Sequence, residues 1–249
     1  MKSITLAILL LLFPMAPSDK IPVGTVIPVM LSSGLNAAKD KADKRIVGRV
    51  MQEITLPSGS TIREGARILG HTVDVSRGPS GSSIVVKFNA IENEGRTIRV
   101  TTGLLAVASM AFVSDAQNPV SGNSDISPDT QWVTRQVGGD IVKRGWGKVF
   151  SSGGVEGRWV GGSSVLIKLT PNSKAGCSDG PGYEREQAVW IFSSAACGTY
   201  GLPNVKIASS GVTKPIGEIG LSSDRNIDIR GGSGWLFMVA GESSEQDEQ

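Results

Sequence analysis

The residues of this sequence that could do chemistry are few and far apart. It contains one histidine, His71, and two cysteines. A metal site needs several suitable ligands close together, and a single histidine in a strand-like context does not supply them. The Gly-Ser-Ser segments that begin at Gly81 and Gly162 lack the Gly-x-Ser-x-Gly nucleophile elbow, and no phosphate-binding loop ending in Gly-Lys-Ser/Thr occurs in the sequence. We therefore expect no catalytic, cofactor-binding or metal-binding residues, and we predict that the protein is not an enzyme.

The two cysteines are Cys177 and Cys197. In an exported protein, an isolated pair is most simply explained as one disulfide. Closing a loop of about 20 residues would stabilise the fold by roughly 3 kcal/mol. The alternative is a reactive Cys197 in the small-residue context SSAACGTYG, which has no partner visible in the sequence.

Tryptophans indicate a possible binding surface. Trp132, Trp146 and Trp159 lie in loop-like, glycine-rich contexts, whereas Trp190 and Trp235 lie in apolar strands. We expect the latter two in the core. The first three are candidates for a ligand or partner surface, because exposed aromatic residues are enriched at interfaces.

A hidden pair of carboxylates is the remaining route to catalysis. Asp140, Glu156 and Asp228 could form a glycosidase-like pair, but only the separation of their carboxyl groups in the fold would identify one.

The N-terminus has the pattern of a secretory signal. Lys2 precedes an apolar run from Ile4 to Phe13, and small residues and prolines follow. The run is shorter than the roughly 20 residues that a spanning helix needs, and an uncleaved anchor is the alternative. We predict a signal peptide at 1–18, a periplasmic or secreted location, and no transmembrane span in the mature chain.

Net charge excludes one class of partner. The formal net charge is +2, and basic residues do not cluster with aromatic ones, so we expect no nucleic-acid binding. Residues 241–249 contain no large apolar side chain and are predicted to form a disordered acidic tail.

The elements that would carry these residues are short strands. Period-two alternation recurs at a spacing of about ten residues, with Gly, Pro, Asn or Asp between the runs, which is typical of a barrel or sandwich. KFNAIENEGRTIRV predicts a hairpin that reverses at Asn93–Gly95. LLAVASMAFV, from Leu104 to Val113, fits a buried strand or a short core helix. Pro22 lies before the first strand and Pro28 within it, positions that are tolerated at the edge of a sheet or where the missing N–H faces away from a neighbouring strand.

The polar stretch from Ser114 to Gly139 predicts a linker or a binding loop, so we place a domain boundary near residue 125. We predict an all-β fold, with a small antiparallel barrel at 19–125 followed by a second, sandwich-like β-rich domain at 126–240.

The segment from Ile21 to Thr102 resembles the β-barrel domain of TrbI-type scaffold proteins of conjugation and type IV secretion systems. The resemblance rests on a strand that opens with Gly-Thr-x-Ile, on the strand VGRV, and on an apolar-x-x-Gly-x-x-apolar-x-Gly pattern. These features are carried by Gly24, Thr25, Ile27, Val47–Val50, Ile62, Gly65, Ile68 and Gly70. The chain from Trp132 onward resembles secreted bacterial proteins of unassigned function.

This resemblance implies a scaffold, and we expect an exported, non-catalytic β-rich envelope or secreted protein that acts by binding or scaffolding. Its partner would be an envelope protein or a polysaccharide. Two alternatives remain open, namely a carbohydrate-active binding module or hydrolase, and a component of a type IV secretion or conjugation complex. The sequence does not indicate an oligomeric state.

Overall fold

A computed structural model describes residues 20–118, 133–143, 147–151, 154–161, 164–170 and 185–241. The described residues are mostly β-strand, which confirms the predicted all-β class. In chain order the elements are β1 (Val26–Leu31), β2 (Leu35–Asn36), β3 (Arg45–Val50), β4 (Ile54–Thr55), β5 (Thr61–Ile62), β6 (Arg67–Gly78), β7 (Gly81–Asn93), β8 (Arg96–Arg99), β9 (Thr101–Ala108), α1 (Met110–Gln117), β10 (Val133–Arg135), β11 (Ile141–Lys143), β12 (Lys148–Ser151), β13 (Gly154–Gly161), β14 (Ser164–Ile167), β15 (Gln187–Ala188), β16 (Gly198–Tyr200), β17 (Val205–Ser209), β18 (Ile219–Ser223), β19 (Asp228–Ile229) and β20 (Gly234–Gly241). The predicted signal peptide, and the predicted tail after Gly241, lie outside the described residues.

One large sheet dominates the fold. Its strands lie in the order β16, β9, β20, β1, β3, β6, β7, β18, β17, and β8 pairs with the last residues of β7. Neighbours are antiparallel except β16, which runs parallel to β9. No pairing between β16 and β17 closes this sheet among the described residues. The described residues therefore do not show the small barrel that was predicted for 19–125.

A second sheet is a simple antiparallel meander from β10 to β15. The large sheet takes strands from both sides of the predicted boundary at residue 125, because β16, β17, β18 and β20 all join it. The β-rich region after residue 125 therefore does not fold as one separate sheet. Two small pairs, β2 with β19 and β4 with β5, complete the strands.

The predicted hairpin is confirmed, and of the two positions that the sequence allowed for the prolines of the first strand, the edge of a sheet is not the one observed. β7 pairs with β8, and Glu94 and Gly95 have φ values of 51° and 79°, the left-handed conformation that such a reversal requires. β1 lies inside the sheet, between β20 and β3. Pro28 is tolerated there because it lies one residue beyond the last pair with β3. Its carbonyl accepts a hydrogen bond from the Met51 N–H at 3.0 Å, and its missing N–H faces the point where β3 has ended.

Two buried apolar clusters hold the sheets together. The first is built mainly from the large sheet and contains the aromatic residues Phe88, Trp235 and Phe237. The second joins the large sheet to the meander and contains Trp190 and Phe192. Trp190 and Trp235 are thus buried, as the sequence predicts. Among the described residues, no helix combines the length and apolar character needed to cross a bilayer.

Candidate functional site

A groove of about 750 Å³ lies between α1 and the turn that follows β10. We call it the α1 groove. Its walls include Phe112, Asp115, Ala116, Arg135, Gln136, Val137 and Tyr200. Ligand sites in proteins are typically cavities of roughly 300–1,000 Å³ with mainly apolar walls and a few placed polar groups. The α1 groove matches that description in both size and lining.

The position of α1 is set by its first turn. The Ser109 Oγ accepts a hydrogen bond from the Phe112 N–H at 3.4 Å, which caps the helix, and the Ser109 N–H donates to the Tyr200 carbonyl at 2.9 Å. Val113 and Ala116 are buried against the second apolar cluster. The segment LLAVASMAFV thus ends β9 and starts α1, so it provides both of the structures that the sequence allowed. Phe112 stays 44% exposed at the groove wall.

The opposite wall is a tight turn. The Gln136 N–H donates to the Asp140 carbonyl at 2.7 Å, and the Gly139 N–H donates to the Gln136 carbonyl at 3.0 Å. Gly138 has a φ of 109°, and a Cβ there would collide with the Ser193 Oγ. The turn therefore requires glycine for both its backbone conformation and its close approach to the neighbouring segment.

Polar groups without partners lie along the α1 groove. Gln136 is 5% exposed, and its Nε2 donates to the Phe192 carbonyl at 2.9 Å. Its Oε1 is buried and accepts no hydrogen bond from the described residues. Arg135 and Asp115 are exposed, and neither forms an ion pair within the described part of the chain. Burial raises the pKa of Tyr200, and its hydroxyl oxygen accepts a hydrogen bond from the Cys197 N–H at 2.9 Å.

The fold brings two of the three candidate carboxylates together. Asp140 immediately precedes β11, whose first residue, Ile141, lies opposite Phe150, the neighbour of Ser151 on β12. The Ser151 hydroxyl is hydrogen-bonded to Glu156 Oε1, and Glu156 Oε2 is buried with no hydrogen-bond partner among the described residues. The Asp140 Oδ2 accepts hydrogen bonds from the Ser194 N–H and Oγ, each at 3.1 Å. Asp228 lies on β19, opposite Asn36 of β2, and does not belong to this pair.

Burial raises the pKa of Glu156, and the nearby Asp140 charge adds to the rise, while the hydrogen bond from Ser151 opposes it. Asp140 follows the turn that lines the α1 groove. Neither carboxylate is among the residues that line the groove.

The predicted tryptophan surface is described only at Trp159. This residue is half-buried, lies opposite Val165 on β14 and packs against the second apolar cluster. Trp132 and Trp146 lie outside the described residues. A surface shared by the three indoles stays a prediction.

The remaining candidates lie away from the α1 groove. Cys197 is buried, and the described part of the chain contains no free cysteine. Cys177 lies outside the described residues, so the Cys177–Cys197 disulfide stays a prediction. His71 lies on β6 opposite Arg45 and Lys87. Within the described ranges, no group of three or more histidine, cysteine or acidic side chains is placed to hold a metal ion.

Several buried polar residues were not recognised in the sequence, including three at the cavities and in the core. Gln52, Gln136 and Thr25 are at most 5% exposed, although they lie in segments read as strands or loops. For Gln136 the sequence offered one signal of a functional position, because this residue lies near the end of the polar stretch that predicted a linker or a binding loop.

In comparisons with known proteins, no family model, curated protein or solved structure matches the chain. The resemblance to TrbI-type scaffolds therefore stays a prediction.

Proposed function

We propose that this chain is an exported, non-catalytic β-rich protein of the cell envelope or the secreted fraction, and that it binds a small ligand in the α1 groove. The observation that carries the proposal is the combination, in one cavity, of apolar walls with an unpaired guanidinium and a buried amide oxygen that lacks a donor. The ligand that fits this lining has an apolar body, an anionic group for Arg135 and a donor for Gln136 Oε1.

The export part of the proposal is supported by the leader. The apolar run from Ile4 to Phe13, with Lys2 before it and small residues after it, is typical of a cleaved secretory signal. A mature N-terminus that still begins at Met1 after fractionation of expressing cells would remove this support.

The binding proposal is tested with anilinonaphthalene sulfonate, a fluorescent probe that combines fused aromatic rings with one anionic group. We expect saturable binding that weakens about tenfold in Phe112→Ala, because the exposed ring supplies apolar wall, and by a similar factor in Arg135→Gln. Both side chains are exposed, so both variants should fold normally.

Ile216→Ala is the matched control, because Ile216 is 48% exposed and lies outside the α1 groove. Fluorescence titration should give the wild-type affinity for this variant. Equal affinities in all four proteins would remove the α1 groove as the binding site.

A second candidate function is glycan hydrolysis, favoured by the contact of Ser151 with Glu156 and by the nearby Asp140. A carboxyl with a raised pKa next to a second, hydrogen-bonded carboxylate is the arrangement that general acid catalysis uses in glycosidases. Binding remains the better-supported proposal, because neither carboxylate lines the α1 groove.

Glu156→Gln tests whether ionisation of this partly buried carboxyl destabilises the fold. The pKa of Glu156 is higher in the folded state than its value of about 4.5 in the unfolded chain, so ionisation costs more in the folded state. The wild type therefore loses stability as pH rises from about 4.5 through the raised pKa. The variant is isosteric and cannot ionise, so its melting temperature should exceed that of the wild type by a margin that grows with pH over this window. Thermal unfolding across this pH range measures the effect.

Incubation of peptidoglycan with the wild type and with Glu156→Gln distinguishes binding from hydrolysis. If binding is the function, neither of these two proteins releases soluble fragments. Release by the wild type that Glu156→Gln and Asp140→Asn each abolish, without a loss of melting temperature, would replace the binding proposal with hydrolysis.

A further inference from the structure

A second cleft, of about 490 Å³, lies where the meander meets the large sheet. We call it the arginine cleft. Its lining includes Thr25, which precedes β1, together with Glu53, Arg158, Arg185, Glu186 and Gln187. The α1 groove and the arginine cleft have no lining residue in common.

Thr25 provides an unsatisfied hydroxyl at the wall of this cleft. The residue is 2% exposed. Its N–H donates to the Pro22 carbonyl at 3.1 Å, and its carbonyl accepts the Val239 N–H at 2.9 Å. Its Oγ1 has no hydrogen-bond partner among the described residues. Buried hydroxyls are normally hydrogen-bonded, so the Thr25 hydroxyl has an unused hydrogen-bonding capacity at the wall of this cleft.

The positive charge of the arginine cleft comes from the guanidinium groups of Arg158 and Arg185. The Arg158 Nε donates to the Glu186 carboxylate at 2.9 Å, which leaves the other guanidinium donors of Arg158 without a described partner. Arg185 forms no ion pair with any residue that the structure describes. Glu53 is already paired with Arg63 at 2.8 Å. Each carboxylate of the lining therefore has a cation, whereas the Arg185 guanidinium has no ion-pair partner in the part of the chain that the structure describes.

The backbone around the cleft is held in place by Gln187. Because β3 ends at Val50, the N–H of Val26 has no partner in the sheet, and the Gln187 Oε1 accepts it at 3.3 Å. Gln187 is 5% exposed, and β15 joins it to β14. The side chains of the arginine cleft thus project from a rigid junction of the two sheets.

We propose that the arginine cleft binds an oxyanion, the carboxylate or phosphate group of a small ligand. Arg158 and Arg185 donate charge-assisted hydrogen bonds to its oxygens, and the Thr25 hydroxyl donates a further one. Planar guanidinium donors match the geometry of carboxylate and phosphate oxygens, and charge-assisted hydrogen bonds are the stronger kind. This site is additional to the α1 groove and does not depend on the function proposed for it.

The test is calorimetric titration of the full mature chain with inorganic phosphate and, separately, with succinate, at constant ionic strength. We expect saturable binding of at least one probe. Affinity should fall about tenfold in Arg185→Gln through loss of a charged donor, and by a smaller factor in Thr25→Val, which keeps the shape of the side chain. Stronger binding of one probe assigns the site to phosphate or to carboxylate ligands.

Arg99→Gln is the matched control. Arg99 is exposed on β8 and does not line the cleft, but its replacement removes the same charge. Three results would overturn the proposal: no saturable binding of either probe, unchanged affinity in Arg185→Gln, or an equal loss of affinity in Arg99→Gln. Binding of the fluorescent probe to the α1 groove should be unchanged in Arg185→Gln, so failure at one site is distinguishable from failure at the other.

Discussion

Replacing Trp235 by alanine should lower the free energy of unfolding by about 3–5 kcal/mol, the range for deleting a large aromatic side chain from a packed core. Trp235 is fully buried. Its ring centroid lies 6.0 Å from that of Phe88 and 5.7 Å from that of Phe237. Because β20 lies between β9 and β1, the cavity would open in the middle of the large sheet, where the surrounding strands have little freedom to close it.

Denaturant unfolding monitored by circular dichroism measures this loss, and two variants control it. Ile216→Ala removes a side chain that is 48% exposed, and it should change the stability by no more than about 0.5 kcal/mol. Trp235→Phe keeps most of the ring packing but removes the Nε1 donor to the Ser233 Oγ, now at 3.1 Å, and should cost about 1–3 kcal/mol. If Trp235→Ala were as stable as Ile216→Ala, Trp235 would not be part of the packed core of the large sheet.

Replacing Gln52 by leucine should cost about 1–3 kcal/mol, because it leaves a buried N–H without an acceptor. Gln52 is 3% exposed and follows β3. Its Oε1 accepts the Trp190 N–H at 2.8 Å, and its Nε2 donates to the Val165 carbonyl at 3.0 Å. The Val165 carbonyl still accepts a hydrogen bond from the Val189 N–H at 3.2 Å in this variant, so the loss of stability comes mainly from the unpaired Trp190 N–H. Trp190 also has a φ of 51°, uncommon for a bulky residue, and the hydrogen bond from its N–H helps to hold that conformation.

Gln52→Glu is the informative companion to this variant. It retains an acceptor for the Trp190 N–H, but its ionised carboxylate faces the Val165 carbonyl. The variant should become more stable relative to wild type as pH falls, because the protonated carboxyl can donate to that carbonyl. Urea unfolding at neutral and acidic pH measures both effects. If Gln52→Leu were as stable as the wild type, the two hydrogen bonds of Gln52 would not contribute to holding the large sheet against the meander.

Local patterns predicted the strands well. The alternation in β6 and β7 matches their alternating burial, and the reversal at Glu94 and Gly95 occurs where the turn residues indicated it. Both features depend on neighbours along the chain, because side chains of a strand alternate between its two faces and a tight turn needs residues that accept positive φ.

The buried polar residues of the candidate sites could not be predicted in the same way. Gln52 is recognisable as buried only once Trp190 and Val165, more than 100 positions away in the chain, lie beside it. Thr25 and Gln136 likewise line their cavities through contacts with distant segments. A polar residue is buried when a particular partner is near, and no pattern of neighbouring residues specifies that partner.

The sequence by itself determined the all-β class, the β7–β8 hairpin and the burial of Trp190 and Trp235, because alternation, turn chemistry and apolar content are local properties. Only the tertiary structure decided which strands pair. It placed β20 between β9 and β1, so that β1 lies in the interior of the large sheet and not at its edge, and so that β20 joins the sheet that the first strands form. It also brought Asp140 beside Glu156 while leaving Asp228 on a separate pair of strands. The physical reason is that a strand's hydrogen-bonding edges are the same whatever its side chains are, so the choice of neighbour depends on packing between segments far apart in the sequence.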